Sequence, residues 1–318
     1  MRALLTCLGE SLIDFLPIES DGRATGFLMR PGGSPLNTAV GLARLGAPAA
    51  FCGKISRDFF GRFLRAYMRE ERLDLRLAVE TPAPTALAFV AVEHGEPAFS
   101  FYGDGTADSL LETNELSEAL FEESRMLHAG SISLLRGTTP QAALSAFERL
   151  KGKALLSFDP NIRPVLVRDE AAYRGLLERF FSLSDLVKIS AVDLRWLAPG
   201  QSAEQAAEGI LRRGPAAVVV TRGERGALLL RSDGAWTALA RQVQVVDTVG
   251  AGDAFTSGLL AWLNDQGKAS AQALKRLTGA EIGSLLRFAA AVAGLTCSRP
   301  GADPPRRAEV ERALAGPA

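Results

Sequence analysis

The stretch Asp247-Thr248-Val249-Gly250-Ala251-Gly252-Asp253-Ala254-Phe255 sets two glycines and a carboxylate against an apolar segment of helical period. Phe255, Gly258, Leu259 and Trp262 recur at the spacing of one helix face, so Gly250, Ala251 and Gly252 fall at the start of that helix. A helix N-terminus presents unpaired N–H groups and the positive end of the helix dipole, and so attracts anions. Asp253 in that place is expected to handle a proton while the adjoining amides hold a phosphate. Phe255 occupies the third glycine position of a dinucleotide fingerprint, and no G-x-x-x-x-G-K-[ST] run occurs in the chain. Both of those phosphate-binding devices are therefore excluded.

A second glycine pair opens another helix in Arg30-Pro31-Gly32-Gly33-Ser34-Pro35-Leu36-Asn37. Ser34 is read as its N-cap, with Pro35 in the first turn. Asn37, one turn further on, has an amide suited to a polyol. Asp14 interrupts the apolar run Leu12–Leu16 and needs a partner, either substrate hydroxyls or a basic residue. Three more polar clusters follow apolar runs: Asp159-Pro160-Asn161-Ile162-Arg163, Lys188-Ile189-Ser190-Ala191-Val192-Asp193 and Thr221-Arg222-Gly223-Glu224-Arg225-Gly226. Each is weak alone. All lie at expected C-terminal strand ends, where open α/β sheets bind their ligands.

The elements that must position them alternate. Strands are expected at 4–8, 12–16, 49–54, 155–159, 186–189, 217–221, 227–230 and 242–246. Helices are expected at 35–45, 61–71, 140–150, 173–182, 203–213, 254–264 and 282–296, with a short last one at 306–314. This alternation predicts an α/β fold with a mostly parallel central sheet covered by helices on both faces. Thr85 to Tyr102 breaks the pattern. Val90, Val92, Phe99 and Phe101 alternate around His94-Gly95-Glu96-Pro97, as in a hairpin. With the polar segment Glu19–Met29, it is expected to form a small sheet beside the main one.

Lys+Arg and Asp+Glu both total 36 among 318 residues, which gives no case for a nucleic-acid or membrane partner. Three widely spaced cysteines suit a reducing compartment and lack metal-ligand spacing. The two histidines leave little material for a triad or a zinc site. With no basic-then-apolar leader and no uninterrupted apolar run of spanning length, the expected location is cytoplasmic.

Taken together, these motifs resemble those of the ribokinase-like carbohydrate kinases, the PfkB sugar-kinase family, over nearly the whole chain. Gly32–Gly46 resembles the family's first signature and Asp247–Leu260 its second, the more specific of the two. Gly53-Lys54-Ile55 with Asp58 and Gly61 resembles a third stretch, with Ser56 in place of its second glycine. The resemblance implies one ribokinase-like kinase domain over 1–318 with a β lid from about 17–30 and 85–104. It implies ATP-dependent phosphorylation of a sugar hydroxyl, with Asp253 as base and the amides of Gly250, Ala251 and Gly252 as anion hole. It further implies that Asp14, Gly32, Gly33, Asn37, Phe101 and Arg163 bind the sugar, and that Lys188, Thr221, Gly223 and Gly226 serve the nucleotide. Mg2+ is expected with ATP, reached by Asp193 through water; Ser190-x-x-Asp193 stands where the family has Asn-x-x-Glu. A monovalent cation such as K+ is expected near Asp247 and Val249, and a homodimer through the lid. A helix N-terminus lowers a carboxylate pKa, so Asp253 is expected to be a weak base whose orientation matters more than its basicity.

Phe101-Tyr102, Asp159-Pro160-Asn161-x-Arg163 and Cys297-Ser298-Arg299-Pro300-Gly301-Ala302 most resemble fructokinases, so D-fructose to fructose 6-phosphate is the expected reaction. A 2-keto-3-deoxygluconate kinase is the alternative, and a cation on the sugar side, Arg30 or Arg136, would favour it. A catalytically silent nucleotide- or sugar-binding protein is a further alternative, against which Asp253 and both glycines argue. A Rossmann dehydrogenase would need a glycine fingerprint that Gly9-Glu10-Ser11 does not supply.

Overall fold

Strand alternation decides the main sheet. The computed structural model describes residues 3–20, 23–93 and 96–316. The turn at His94-Gly95 and the side chains of Val90, Val92 and Phe99 lie outside what it describes. Among the described residues the fourteen strands are β1 (Leu4–Leu8), β2 (Leu12–Ser20), β3 (Arg23–Gly32), β4 (Ala49–Cys52), β5 (Lys54–Ser56), β6 (Val79–Thr81), β7 (Ala86–Glu93), β8 (Glu96–Tyr102), β9 (Ser124–Gly130), β10 (Leu155–Asp159), β11 (Leu186–Ser190), β12 (Ala217–Thr221), β13 (Ala227–Arg231) and β14 (Gly234–Ala238). Eight form one sheet in the order β14-β13-β12-β11-β10-β9-β1-β4. It is parallel from β12 to β4, with β13 and β14 antiparallel at one edge. In β1, Leu5 and Cys7 enter one apolar layer while Leu4 and Leu8 enter the other. Helices Ser34–Arg44, Ala251–Asp265 and Gly279–Cys297 cover the first face, and Thr139–Leu150, Glu170–Leu183 and Ala203–Leu211 the second. By length and composition Gly279–Cys297 could cross a membrane, but here it packs as a core helix with Ile282, Leu285, Leu286 and Val292 fully buried.

The second sheet has the order β3-β2-β7-β8. It begins at Leu12, so Asp14 belongs to this sheet and not to the central one. Register places Arg30, Asp14, Ala88 and Phe101 in one lateral row, on one face. The opposite face is aromatic: Phe15 stacks on Phe89 at 4.6 Å, and Phe27 meets both edge-on. β5 and β6 pair separately.

Some expectations fail locally. Residues 242–246 form no strand, despite three valines. The run pairs with no strand of the sheet, whose edge strand is β14, and lies along a cavity, with Val245 60% exposed. β propensity reports a half-buried pairing surface, and without one the run stays irregular. Residues 49–54 divide at Gly53 into β4 and β5. The converse is β9, unforeseen because polar residues interrupt it. Its His128 is buried, bonded through Nδ1 to Ser157 Oγ at 3.1 Å, and burial lowers its pKa to about 4.

Candidate active site

The chain passes between the main and small sheets at Gly9–Ser11 and at Gly32–Ser34, and again between β6 and β7 and after β8; the first two crossings are packed together. Gly33 (φ 108°) is the N-cap of helix Ser34–Arg44, and a Cβ there would stand 2.6 Å from the Glu10 carbonyl oxygen. Only glycine fits. Ser34 is therefore not the cap. Its amide donates to Glu10 Oε1 at 3.0 Å, and its hydroxyl donates to Asp253 Oδ1 at 2.6 Å. From the next turn, Asn37 Nδ2 donates to Asp253 Oδ2 at 2.9 Å. Both Asp253 oxygens are thus held by residues next to the small sheet.

Asp253 lies in the first turn of helix Ala251–Asp265. The N-cap is Gly250 (φ 74°), no side chain among the described residues caps this terminus, and a Cβ on Gly250 would stand 2.5 Å from that of Ala302. Lys188 Nζ comes so near that a Cβ on Gly252 would meet it at 2.9 Å. Lys188 is itself paired with Asp159 at 2.7 Å, both buried. Burial raises the Asp253 pKa, outweighing the hydrogen bonds from Ser34 and Asn37 and the charge of Lys188. The expectation of a lowered pKa is corrected: desolvation outweighs the neighbours that favour the carboxylate.

Asp14 packs so closely over Gly32 that any Cβ on Gly32 would overlap its carboxylate. Burial first, then the charge of Asp253, push the Asp14 pKa up to about 6, while Arg163 opposes them. Asp14 is therefore within electrostatic reach of both Asp253 and Arg163. Arg163 is exposed and steadied by Asn161 Oδ1 at 2.7 Å. Phe101 lies under the guanidinium of Arg136, 4.4 Å from the ring centroid, beside a cavity of about 480 Å³. Arg30 is exposed and pairs across from Asp14.

A second cavity, about 660 Å³, opens on the other side of Gly252. Thr221, Gly223 and Gly226 line it together with Thr248, Ala251 and Gly252, so the expected nucleotide turn and the glycine loop share one space. Asp247 accepts from the amides of Val249 (3.0 Å) and Gly301 (2.8 Å), tying that loop to the C-terminal segment. Asp193 closes a capping box with Ser190 and accepts from the amide of Ile162 at 3.1 Å. Among the described residues, no group of three or more His, Cys, Asp or Glu side chains is arranged to hold a metal.

Sequence reasoning missed the roles of Glu10, of Ser34 towards Asp253 and of the Asp159–Lys188 pair. A signal existed for the last: an acid and a lysine each at or near the end of adjacent expected strands. None existed for the first, since a lone glutamate after a strand carries no pattern.

Known proteins are similar over nearly the whole chain. The pfkB family of carbohydrate kinases matches residues 2–308. Fructokinase-1 of Oryza sativa subsp. japonica is 38% identical over 315 residues, spanning 97% of this chain and 96% of its own. Fructokinase of Xylella fastidiosa, solved with bound ATP, superposes with a TM-score of 0.92 at 32% identity, covering 99% of both chains. A Vibrio cholerae O395 fructokinase double mutant, solved with fructose, ADP and potassium ion, gives a TM-score of 0.83 at 28% identity, covering 99% of this chain and 97% of its own. With the match running almost from end to end, this chain belongs to the pfkB family of carbohydrate kinases.

Proposed function

We propose that the protein is a fructokinase, transferring the γ-phosphate of ATP to the 6-hydroxyl of D-fructose. The observation that carries this reading is the position of Asp253: its carboxylate is held from the small-sheet side by Ser34 and Asn37, at a helix N-terminus that no side chain caps. The likeness to the rice and Xylella fructokinases supports fructose as the sugar.

ATP takes the 660 Å³ cavity, its base side against Thr221, Gly223 and Gly226 and its terminal phosphate at the amides of Gly250, Ala251 and Gly252. Lys188, steadied by Asp159, adds positive charge beside that phosphate. The sugar lies over Asp14, Gly32, Gly33 and Asn37, with Phe101 and Arg163 at its border. Asn37 keeps a second N–H and its carbonyl oxygen for hydroxyls. The sugar oxygen attacks the γ-phosphorus as the bond to the ADP oxygen breaks, and the hydroxyl proton passes to Asp253. Positioning and charge stabilisation carry most of such a transfer. The raised pKa of Asp253 suits a group that must receive that proton.

ATP enters as its Mg2+ complex. Both Asp193 oxygens already accept hydrogen bonds, from Ser190 and Ile162, so Asp193 fits a metal reached through water. The loop pinned by Asp247 at Val249 and Gly301 is where K+ would be held, supplying fixed charge beside the phosphate. The small sheet acts as the lid. Phe27 and Tyr102, 45% and 62% exposed on its aromatic face, support a homodimer through it, and sedimentation at the mass of one 33.8 kDa chain would contradict that. ATP as substrate and three free thiols fit a cytoplasmic setting.

One observation favours a second reading. Two buried guanidinium nitrogens of Arg136, above Phe101, have no hydrogen-bond partner among the described residues, a cation that an acidic sugar such as 2-keto-3-deoxygluconate would use. A coupled ATP-consumption assay over fructose, ribose, 2-keto-3-deoxygluconate, tagatose phosphate and nucleosides separates the two. Fructose is expected to give the highest kcat/KM. ATP use stimulated by none of them would end the kinase reading and leave a silent binding protein.

A further inference from the structure

Glu10 is 1% exposed and has no part in the reaction as derived above. Its carboxylate nevertheless gathers donors from two other places in the fold. Oε1 accepts from the amide of Ser34 at 3.0 Å. Oε2 accepts from the amide of Ser133 at 3.2 Å and from the Ser133 hydroxyl. The bond is returned, since the Glu10 amide donates to Ser133 Oγ at 2.8 Å. Ser133 belongs to the turn that follows β9 in the main sheet, whereas Glu10 lies where the chain first enters the small sheet and Ser34 where it first leaves it. The Ser34 hydroxyl in turn holds Asp253 Oδ1.

We infer that Glu10 is a positioning residue: it anchors the hinge of the small sheet to the main sheet and, through Ser34, orients the Asp253 carboxylate toward the sugar hydroxyl. The inference rests on Asp253 being the base. It follows from the geometry that the amide and hydroxyl of one residue, Ser34, are bonded to two different carboxylates, so moving one carboxylate moves the other. A buried carboxylate with matched donors on both oxygens is rigid, and a glutamine cannot replace it, because its NH2 would face either the Ser34 or the Ser133 amide, donor against donor.

The test is steady-state kinetics on E10Q, S34A and the E10Q/S34A double variant, with the best sugar from the substrate panel. E10Q is expected to lower kcat by about 10- to 100-fold, the scale of an ångström of misplacement at a reacting group, with KM for ATP within about twofold. S34A is expected to lower kcat comparably, and the double variant to be no worse than the poorer single one, because both break one chain of contacts. Wild-type kcat in E10Q, or losses that multiply in the double variant, overturns the inference. If E10Q does not fold, S133A strips the Oε2 hydroxyl partner while leaving the Ser34 amide paired. It should lower kcat by about threefold or more at unchanged KM for ATP, and an unchanged kcat overturns the inference equally. An inactive wild-type protein would instead count against the kinase reading itself.

Discussion

Helices Ser34–Arg44 and Ala251–Asp265 each start from an N-cap glycine at positive φ, Gly33 and Gly250, and their N-termini have opposite fates. At helix Ser34–Arg44 the first amide is taken by the chain's own carboxylate, Glu10, 3.0 Å away. At helix Ala251–Asp265 no side chain caps the amides, and a buried lysine waits beside them. The same local physics, exposed N–H groups and a dipole, is spent internally in one place and left for a ligand in the other. A helix N-terminus is an anion site only if the protein has not already filled it. The filled one still serves the open one, since Ser34 and Asn37 grip Asp253 from across the cleft.

The largest expected effect comes from removing the group that joins the two termini. Asp253→Asn keeps a carbonyl to accept from Ser34 or Asn37, so it should fold with a melting temperature near that of the wild type. Turnover should nevertheless fall about 10²–10⁴-fold, the usual contribution of a general base. Turnover like the wild type's would make Asp253 a mere brace between the two helices and remove the functional side of the comparison.

How much of this was legible beforehand differs between the two termini. The open one was legible because its signal is local: Gly250, Gly252 and Asp253 are neighbours, and the helical period from Phe255 to Trp262 fixes where the helix starts. The filled one was half legible. Gly33 and Asn37 stood out, but Ser34 read as a cap because a serine before a helical segment usually is one. Its true partners lie 24 and 219 residues away. The main-sheet strands were readable where burial on both faces gives unbroken apolar runs, as at Ala217–Thr221. Residues 242–246 misled because β propensity counts only where a neighbouring strand actually pairs with the run, which sequence does not display. The rise in the Asp253 pKa was misjudged for a related reason: the dipole is a local feature, whereas burial depends on everything packed around it.

A smaller effect tests the sugar side. Burial and the charge of Asp253 push the Asp14 carboxyl from its ordinary 3.8 up to about 6 in the fold. The folded state therefore binds more protons between those values. This contribution is fully present below about pH 3.8 and is lost as pH rises through about 6, costing on the order of 1–3 kcal/mol above it. Asp14→Asn should remove that dependence. In urea unfolding the variant should be the more stable protein at pH 7.5, with the advantage shrinking toward pH 4. Its KM for the sugar should rise by about tenfold or more, since an acceptor for two hydroxyls is gone. A pH-independent stability difference with an unchanged KM would place Asp14 outside both the buried cluster and the sugar site.

The smallest effect addresses the comparison itself. If one terminus is open and the other filled, the protein should have a single place for a simple anion. Inorganic phosphate at ten times its dissociation constant should then stabilise the fold by about 1.4 kcal/mol, read as a rise of a few degrees in melting temperature. Gly252→Val puts a side chain where Lys188 Nζ now approaches within 2.9 Å of the Cβ position, and should abolish the rise. Ser34→Ala leaves Glu10 in possession of the other terminus and should keep it. Retention of the rise in the valine variant, or its loss in the alanine variant, would mean that phosphate reads the Gly33 terminus after all. Glu10 would then be a displaceable occupant and not a fixed cap. The two helix starts would differ in degree only, and the selectivity of the site would have to come from the lysine beside it, because backbone amides alone would no longer distinguish one terminus from the other.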